Sequence, residues 1–506
     1  MNDLLTHKEI QSIAKNINYP SNQFINGGFK KSFGKEIINN IDPNTKKIIN
    51  KIYCSNEKDL NFAVLKSREA FEGGKWSRLH PSERKNILIK LCKLIERNKN
   101  ELCVLECIDS GKPIRDIITI DLPETINTLK WHAELADKIY DQAAPAGHEA
   151  MSVIIREPIG VVGCVLPWNF PMMMLAWKIG PALASGNSVI VKPAEQTSLT
   201  SLRIAELAKE AGIPDGVFNV VLGLGSKIGK AIGLHKDIDM VSFTGSTVTG
   251  KKFLEYSSNS NLKNITLECG GKNPAIVLED AEDFDNIAKN VVQGGFWNMG
   301  QNCSASSRLI VHKKVKEKLI KKIIARSREW RTGDPTNPIY NLGTLVSKEH
   351  FKKVENYLKI AKKEKLKLIL GGETKDNKYV FPTIFECTNP KHNSKLIKEE
   401  IFGPILVIIT VSSDEEAIKI ANDTLYGLTA SIFTSNNKKA MRAARDIKAG
   451  TVTVNTFGEG DATTPFGGFK QSGFGGRDNG IHAHDQYTNL KTIWFDCSDN
   501  KQDEIS

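Results

Sequence analysis

The chain has 506 residues, of which 40% are hydrophobic and 25% are charged. This length and composition predict an enzyme-sized globular protein whose large cores are divided between two or three domains. The formal net charge of +11 comes from lysines interleaved with acidic residues along many helices. This distribution argues against a nucleic-acid-binding surface and leaves only a weak attraction for anions.

The nine cysteines are widely spaced, odd in number and without paired CxxC spacing. This pattern argues against a disulfide framework and a structural zinc site, and it predicts a reduced, cytoplasmic setting. The chain starts with MNDLLTHKEIQSIAKN, which lacks the apolar core of a signal peptide, so export is not expected. Roughly the first twenty residues and the stretch after Asp496 are polar and are expected to be loosely held.

The longest apolar run, Ile159 to Trp177, is nearly long enough to span a membrane. Its middle holds the segment PWNFP, whose prolines and polar groups would break a helix. We therefore predict a buried strand, a loop and a helix here, and no membrane partner.

Short apolar runs alternate with amphipathic helical patterns through the middle of the chain, which is typical of βαβ units and a parallel sheet. The predicted fold class is α/β. The clearest strands have continuous apolar residues, which predicts burial on both faces. They cover 189–191, 218–222, 240–243, 275–278 and 406–410.

Two helices stand out between these strands. Ser198 is predicted to cap the first, which ends at Gly212 and Pro214. The second places five apolar side chains on one face: Phe284, Ile287, Ala288, Val291 and Val292. The sequence contains no internal repeat and no low-complexity linker. Domain boundaries can therefore be placed only where the type of chemical motif changes along the chain.

Cys303 ends the segment GGFWNMGQNC and precedes small residues. A nucleophile needs such an uncrowded position, and thiolates attack carbonyls well because sulfur is polarisable. An isolated cysteine is more often a packing residue. That role is expected for Cys54, Cys92, Cys103, Cys107, Cys164, Cys387 and Cys497.

Glu268 lies in the segment LECGGK, just before a glycine pair in a turn between strands. A partly desolvated Glu with a raised pKa suits the general base that activates water to hydrolyse a thioester. A carboxylate on the surface or at a helix cap is the alternative, and Glu268 alone would favour it. Cys269 is expected to pack.

Asn169 lies in PWNFP, where two prolines make the loop rigid. An amide held in place can donate a hydrogen bond where negative charge develops on a reacting oxygen. Asn also fills ordinary turns, but that interpretation is weaker in so rigid a segment.

Three loops at strand ends are candidates for binding a dinucleotide. Gly223, Gly225 and Gly229 form GxGxxxG, which differs from the usual fingerprint GxGxxG. The segment FTGSTVTG opens a helix whose backbone NH groups and Ser246 can bind a pyrophosphate. The loop KPAE can present Lys192 and Glu195 to ribose hydroxyls. Each loop alone is also compatible with an ordinary βα turn.

Together these segments resemble the aldehyde dehydrogenase superfamily over essentially the whole chain. PWNFP, WKIGPALASGN, FTGSTVTG, LECGGKNP, GQNC and EEIFGP occur in the order found in that family. The resemblance implies a Rossmann-like NAD domain, an α/β catalytic domain that carries the thiol, and a small β element that joins subunits into homodimers or homotetramers.

The implied domain boundaries follow the resemblance. The NAD-binding domain would comprise 1–137 and 160–272, and the catalytic domain 273–483. The oligomerisation element would comprise 138–159 and 484–497, followed by a flexible tail at 498–506.

The resemblance also implies the catalytic roles. Cys303 attacks the aldehyde, while the Asn169 amide and the backbone NH of Cys303 hold the oxyanion. Glu268 activates water, and Lys178 tunes nearby charge. Because Glu268 is present, water is the expected acyl acceptor rather than coenzyme A.

Implied cofactor contacts divide into two groups. Glu400 and Phe402 would place the nicotinamide ribose and ring, while Lys192 and Glu195 would contact the adenosine ribose. Further candidates are Trp168, Gly225, Gly229, Phe243, Gly245, Ser246, Thr249 and Leu267. A carboxylate at Glu195 accepts bonds from ribose hydroxyls and repels the extra phosphate of NADP, so NAD is favoured.

Within the family, the segment 458–473 and the closing LKTIW resemble bacterial γ-glutamyl-γ-aminobutyraldehyde dehydrogenases, which act in putrescine breakdown. Broad-range and betaine-type aldehyde dehydrogenases share much of this pattern and remain the alternative. A lesser alternative is a structural relative without catalytic activity. The presence of Cys303, Glu268 and Asn169 argues against it.

The implied substrate tunnel is mainly aromatic and suits a long or cationic aldehyde. Its lining is expected to include Phe170, Met174, Trp177, Trp297 and Phe457. Glu459 and Asp461 are candidates to meet an ammonium group, although both also fit solvated loop residues. Asn302 is a candidate for tuning specificity.

Three further features carry less weight. Glu106 and Asp109 are weaker acidic candidates on a nearby helix. His482 and His484 form an HxH pair without an evident third ligand, so subunit packing is expected there and no metal is predicted.

Overall fold

The structure is a computed structural model that describes residues 4–388 and 394–498. The predicted tail at 498–506 therefore lies outside the described residues except for Ser498. In the described part of the chain, no helix combines the length and apolarity needed to cross a membrane.

Most of the β-strands are short. In chain order they are β1 Gln23–Ile25, β2 Gly28–Lys30, β3 Ile37–Ile41, β4 Ile48–Tyr53, β5 Gln142–Ala144, β6 Ala150–Pro158, β7 Val161–Val165, β8 Ser188–Lys192, β9 Phe218–Val220, β10 Met240–Gly245, β11 Asn264–Cys269, β12 Pro274–Val277, β13 Arg308–His312, β14 Lys367–Leu370, β15 Thr374–Lys375, β16 Tyr379–Val380, β17 Thr383–Cys387, β18 Ile405–Val411, β19 Thr429–Phe433, β20 Thr451–Val454, β21 Gly473–Phe474 and β22 Thr488–Asp496.

The α-helices alternate with these strands. They are α1 His7–Asn16, α2 Glu57–Glu72, α3 Pro81–Arg97, α4 Lys99–Ser110, α5 Ile114–Asp116, α6 Leu122–Leu135, α7 Pro171–Ala184, α8 Leu199–Ala211, α9 Lys230–Leu234, α10 Thr247–Ser258, α11 Phe284–Phe296, α12 Lys313–Arg328, α13 Lys348–Lys363, α14 Lys395–Lys398, α15 Asp414–Asn422, α16 Asn437–Asp446 and α17 His482–Asp485.

Two sheets organise the molecule and confirm the predicted α/β class. The first has the order β2-β1-β9-β8-β7-β10-β11-β21, in which β9 through β11 run parallel. The second has the order β14-β17-β18-β13-β12-β19-β20 and is parallel from β17 to β20. Their central strands are buried on both faces by helices, as the continuous apolar runs predicted.

A third, antiparallel sheet pairs β5 with β6 and β6 with β22. Its strands fall within 138–159 and 484–497, the two ranges assigned to subunit association. Leu490 and Trp494 on β22 are 68% and 62% exposed. The role of this sheet in association stays a prediction.

Strand β21, from near the end of the sequence, joins the edge of the first sheet. It pairs antiparallel with β11, so that Gly473 lies opposite Glu268. This pairing brings the segments before and after β21 to the carboxyl end of the first sheet, where the candidate catalytic residues lie.

Three expectations from the sequence are wrong in detail. The N-terminal segment is not loose, because α1 has a capping box at Thr6 and its Ile10 is buried in the core. Ser198 precedes α8 but makes no capping bond; the Asp109 carboxylate accepts from Leu199 N at 3.0 Å instead. The strand predicted at 218–222 ends at Val220, because Leu222 N donates to Ser55 Oγ.

Candidate active site

Three loops meet around Cys303. One follows β7 and carries Asn169, one follows β11 and lies next to Glu268, and one follows α11 and ends at Cys303 itself. The carboxyl ends of parallel strands lie at one edge of a sheet, which is where α/β proteins place their ligands. Cys303 is partly exposed, whereas Cys269 and the other cysteines up to Cys387 are buried; the expectation that Cys497 packs is wrong, because it is exposed.

The turn before Cys303 is held in an uncommon backbone shape. Asn298 and Met299 adopt positive φ angles of 52° and 56°. The Asn298 Nδ2 donates to the carbonyl oxygens of Asn169 and Gln301, each at 3.0 Å. These bonds offset the strain of the turn and tie it to the loop after β7.

Asn169 is positioned by the same carbonyl. Its Nδ2 donates to Gln301 O at 3.0 Å, and its side chain is buried. A side-chain amide has two N–H donors, so one remains for an oxygen near Cys303. Asn273 Nδ2 donates to Cys303 O at 2.7 Å and holds the nucleophile's backbone.

The environment of Cys303 favours its neutral thiol form. Burial raises its pKa well above 9.0, and the carboxylates Glu459, Glu400 and Glu268 raise it further. The thiolate therefore forms only when a base or a neutralising charge acts on this site.

Glu268 is buried at the end of β11. Burial first, and then the charge of Asp478, raise its pKa well above 4.5, whereas Lys178 and Arg477 lower it. Within the described residues its Oε2 has no hydrogen-bond partner. A desolvated carboxyl with a free oxygen beside a thiol has the properties of a general base for water.

Lys178 and Asp478 form a buried ion pair, with Nζ and Oδ2 2.7 Å apart. Lys178 lies on α7, and Asp478 follows β21. No local motif in the sequence indicates a role for Asp478; only the pairing of β21 with β11 brings it to Glu268.

A cleft of about 240 Å³ opens on one side of Cys303. Its lining includes Trp168, Asn169, Gly245, Ser246, Glu400 and Phe402, together with His350 and Lys353, which no sequence motif indicates. Gly271 N donates to Glu400 Oε1 at 3.0 Å. The Trp168 ring meets the Phe402 ring edge-on at 5.2 Å.

The loops beyond this cleft contain the other candidate cofactor residues. Ser246 caps α10 by accepting from Thr249 N at 3.3 Å, and both residues are exposed at this helix N-terminus. Lys192 Nζ lies 3.1 Å from Glu195 Oε2, and a Cβ on Gly225 would lie 3.8 Å from the same Nζ.

Three of the candidate cofactor residues outside the lining lie in or against a hydrophobic core. The side chains of Phe243 and Leu267 belong to the hydrophobic core beneath α10. A Cβ on Gly229 would lie 4.0 Å from Phe253 in the same core.

A second cavity, of about 210 Å³, opens on the other side of the nucleophile. Five predicted substrate residues line it, and so does Glu124, which no sequence motif indicates; the five are Trp177, Trp297, Phe457, Glu459 and Asp461. A narrow space connects this cavity to the nucleophile. Its lining includes Phe170, Met174, Trp177, Glu268, Cys303 and Glu459. The rest of that narrow lining consists of Met173, Thr244, Cys269, Phe466 and Asp478.

Other candidate residues make hydrogen bonds that stabilise the fold. Asn302 Oδ1 accepts from Ser304 N at 3.0 Å and shapes the turn without lining the tunnel. Glu106 Oε2 accepts from Met172 N at 3.0 Å at the start of α7. Like Asp109, Glu106 is thus a buried helix anchor.

Of the two histidines near the carboxyl terminus, His484 has a structural explanation. His484 is buried, and its Nε2 lies 3.1 Å from His132 Nδ1, so it packs within the subunit rather than between subunits. Among the described residues, no group of three or more His, Cys, Asp or Glu side chains is arranged to hold a metal ion.

Comparison with known proteins connects this geometry to a family. The chain is 55% identical to an aminoacetaldehyde dehydrogenase of Pseudomonas aeruginosa over 498 residues, which covers 98% of this chain and 100% of the relative. The crystal structure of a γ-glutamyl-γ-aminobutyraldehyde dehydrogenase from Burkholderia cenocepacia has a TM-score of 0.95 and 42% identity, covering 98% of this chain and 100% of that one.

A third comparison involves a structure with its cofactor. The indole-3-acetaldehyde dehydrogenase of P. syringae, in complex with NAD+, has a TM-score of 0.95 and 42% identity, covering 97% of this chain and 100% of that one. The sequence model of the aldehyde dehydrogenase family matches residues 29–493. With the thiol, carboxyl and amide brought together between two cavities, this chain belongs to the aldehyde dehydrogenase family.

Proposed function

We propose that the protein oxidises an amino-aldehyde to its carboxylic acid, with NAD as the electron acceptor and a thioester on Cys303 as the intermediate. The observation that carries the proposal is the position of Cys303, which lines both the first cleft and the narrow space that leads to the second cavity, beside the buried carboxyl of Glu268. One cavity suits the cofactor and the other the aldehyde.

Cys303 begins the reaction. Its thiol loses a proton to solvent, the thiolate adds to the carbonyl carbon, and the resulting oxyanion accepts hydrogen bonds from Asn169 Nδ2 and the backbone NH of Cys303. NAD held in the first cleft would supply the acceptor for the hydride of this carbon, which leaves a thioester. Glu268 removes a proton from water, which attacks the thioester; the carboxylic acid is released, and the departing Cys303 thiolate takes that proton back from Glu268.

The residues present fit NAD. The exposed N-terminus of α10 and Ser246 suit a pyrophosphate, and Glu400, held by Gly271 N, suits the nicotinamide ribose. Glu195, held by Lys192, suits adenosine ribose hydroxyls and disfavours a phosphate at that position.

We also propose three domain roles: NAD binding by 1–137 and 160–272, catalysis by 273–483, and homo-oligomer formation through 138–159 and 484–497, in the cytoplasm. The exposed apolar residues of β22 support the last role. Light scattering with chromatography measures the oligomer, and a monomer would contradict it.

Two of the relatives support an amino-aldehyde substrate, because their names specify aminoacetaldehyde and γ-glutamyl-γ-aminobutyraldehyde. The second candidate is a broad-range aldehyde dehydrogenase. The aromatic lining of Trp177, Trp297 and Phe457 favours it, since such rings also accommodate neutral aldehydes.

A substrate panel separates these candidates. We expect kcat/KM for aminoacetaldehyde or γ-glutamyl-γ-aminobutyraldehyde to exceed that for propanal by at least about tenfold, since a charge-assisted contact of ordinary strength has this effect. NADH formation measures it, with betaine aldehyde as a further cationic substrate. Comparable constants for all four aldehydes would favour the broad-range enzyme.

The ion pair beside Glu268 predicts a pH effect. The base must be ionised, so steady-state kcat falls as the pH drops through the pKa of Glu268. Asp478 raises that pKa, so Asp478→Asn lowers it and moves the acidic limb of the kcat profile to lower pH. The exposed Asp376→Asn serves as the control and leaves the profile in place. A shift to higher pH in Asp478→Asn would contradict the assignment of Glu268.

A further inference from the structure

The cavity that leads to Cys303 is lined by carboxylate side chains. Glu124, in the first turn of α6, and Glu459, after β20, both line it. Among the residues that the structure describes, this lining includes no lysine, arginine or histidine. Any aldehyde that reaches Cys303 from this side passes both carboxylates.

The two carboxylates lie at different depths. Glu459 also lines the narrow space around Cys303, and its Oε1 accepts a hydrogen bond from Ser304 Oγ, the residue after the nucleophile. Glu124 lines only the outer cavity. From the nucleophile outward, the order is therefore Cys303, Glu459, Glu124.

The electrostatics show that the two groups interact. Burial has the largest effect and raises the pKa of Glu459; hydrogen bonds to Ser304 and Asn302 lower it, the charge of Glu124 raises it, and the charge of Lys112 lowers it. A cation bound between Glu459 and Glu124 would relieve the repulsion that Glu124 exerts on the charged form of Glu459.

Asp461, the partner expected for Glu459 from the sequence, is less suited to this role. Its Oδ1 already accepts bonds from Thr463 N and Thr463 Oγ1, and its side chain faces solvent. Glu124 instead lines the cavity from a helix and has no ion-pair partner among the described residues.

We propose that Glu124 is a specificity-determining residue that, together with Glu459, binds the ammonium group of a short amino-aldehyde. The proposal rests on the proposed amino-aldehyde function and extends it to a named pair of residues. An ammonium group has three donors and no acceptor, which complements two carboxylates, and Trp177, Trp297 and Phe457 offer aromatic faces beside them.

The depth of Glu459 sets the length of the substrate. Because Glu459 is bonded to the residue next to Cys303, an ammonium group held between the two carboxylates lies a few bonds from the carbonyl. The bound cation also offsets the negative charge with which Glu459 opposes thiolate formation. A cationic substrate thus fits the passage and also favours formation of the thiolate that attacks it.

The test compares aminoacetaldehyde with propanal, which has the same heavy-atom shape without the charge. We expect Glu124→Gln to lower the ratio of kcat/KM for aminoacetaldehyde to kcat/KM for propanal about tenfold, mainly through a higher KM for aminoacetaldehyde. Glu124→Asp, which keeps the charge, should retain most of the preference. Glu134→Gln, at the other end of α6, is the matched control and should change neither constant.

The possible outcomes distinguish a failure of the proposed role of Glu124 from a failure of the proposed function. If the wild-type protein prefers aminoacetaldehyde and Glu124→Gln keeps that preference, the role of Glu124 is wrong while the proposed function stands. An equal loss for both aldehydes in Glu124→Gln also overturns the role, because it indicates damage to the tunnel. A wild-type protein without preference contradicts the amino-aldehyde function itself.

Discussion

The Cys303→Ala protein is expected to lose aldehyde oxidation entirely while it keeps its fold and its affinity for NAD. In the described structure Cys303 is the only partly exposed thiol that lines the narrow space between the two cavities. Removing the nucleophile of a covalent mechanism lowers kcat by up to about 10⁶-fold. Steady-state NADH formation measures the loss, and calorimetry measures NAD binding.

The control for this variant is Cys497→Ala, which removes an exposed cysteine far along the chain and should leave kcat unchanged. Alkylation offers an independent check, because loss of activity in the wild-type protein should follow modification of Cys303. Substantial turnover in Cys303→Ala would rule out the thioester mechanism.

The Glu268→Gln protein should form the thioester and then stop. Hydride transfer needs Cys303 but not the water-activating base, so a stoichiometric burst of NADH remains. A positioned general base contributes about 10²–10⁴-fold, and steady-state kcat should fall by that amount. Glu268 also raises the pKa of Cys303, so its neutralisation does not hinder formation of the thiolate.

Rapid-mixing absorbance separates burst from steady state, and mass spectrometry of the quenched protein should find the acyl group on Cys303. Glu317→Gln, an exposed carboxylate on α12, is the control. Loss of the burst together with the steady state would assign Glu268 to an earlier step, and an unchanged steady state would remove it from catalysis.

Much of the fold was predictable because its signals are local. Continuous apolar runs such as 240–243 predicted buried parallel strands, and the pattern from Phe284 to Val292 predicted α11. The N-terminal helix was not predictable in this way, because a mostly polar segment carries few apolar residues. Its one deeply buried side chain, Ile10, depends on a partner surface elsewhere in the chain.

The residues of the candidate site also differ in whether the sequence alone predicts them. Cys303, Glu268 and Asn169 stand in distinctive short segments, so the sequence alone is enough to identify them. Asp478 and Glu124 stand in ordinary ones. Their importance arises from charge acting across space, and Coulomb interactions depend on distance and burial rather than on separation along the chain.

The sequence by itself determined the α/β class, the family and the three chemical groups of the candidate site, because backbone propensity, apolar periodicity and rare motifs are properties of short segments. Only the tertiary structure decided which carboxylates face Cys303 and Glu268, which acids anchor helices instead, and which residues line each cavity. Those features depend on the pairing of β21 with β11 and on the packing of α6 beside the tunnel, contacts between segments hundreds of residues apart that no local pattern encodes.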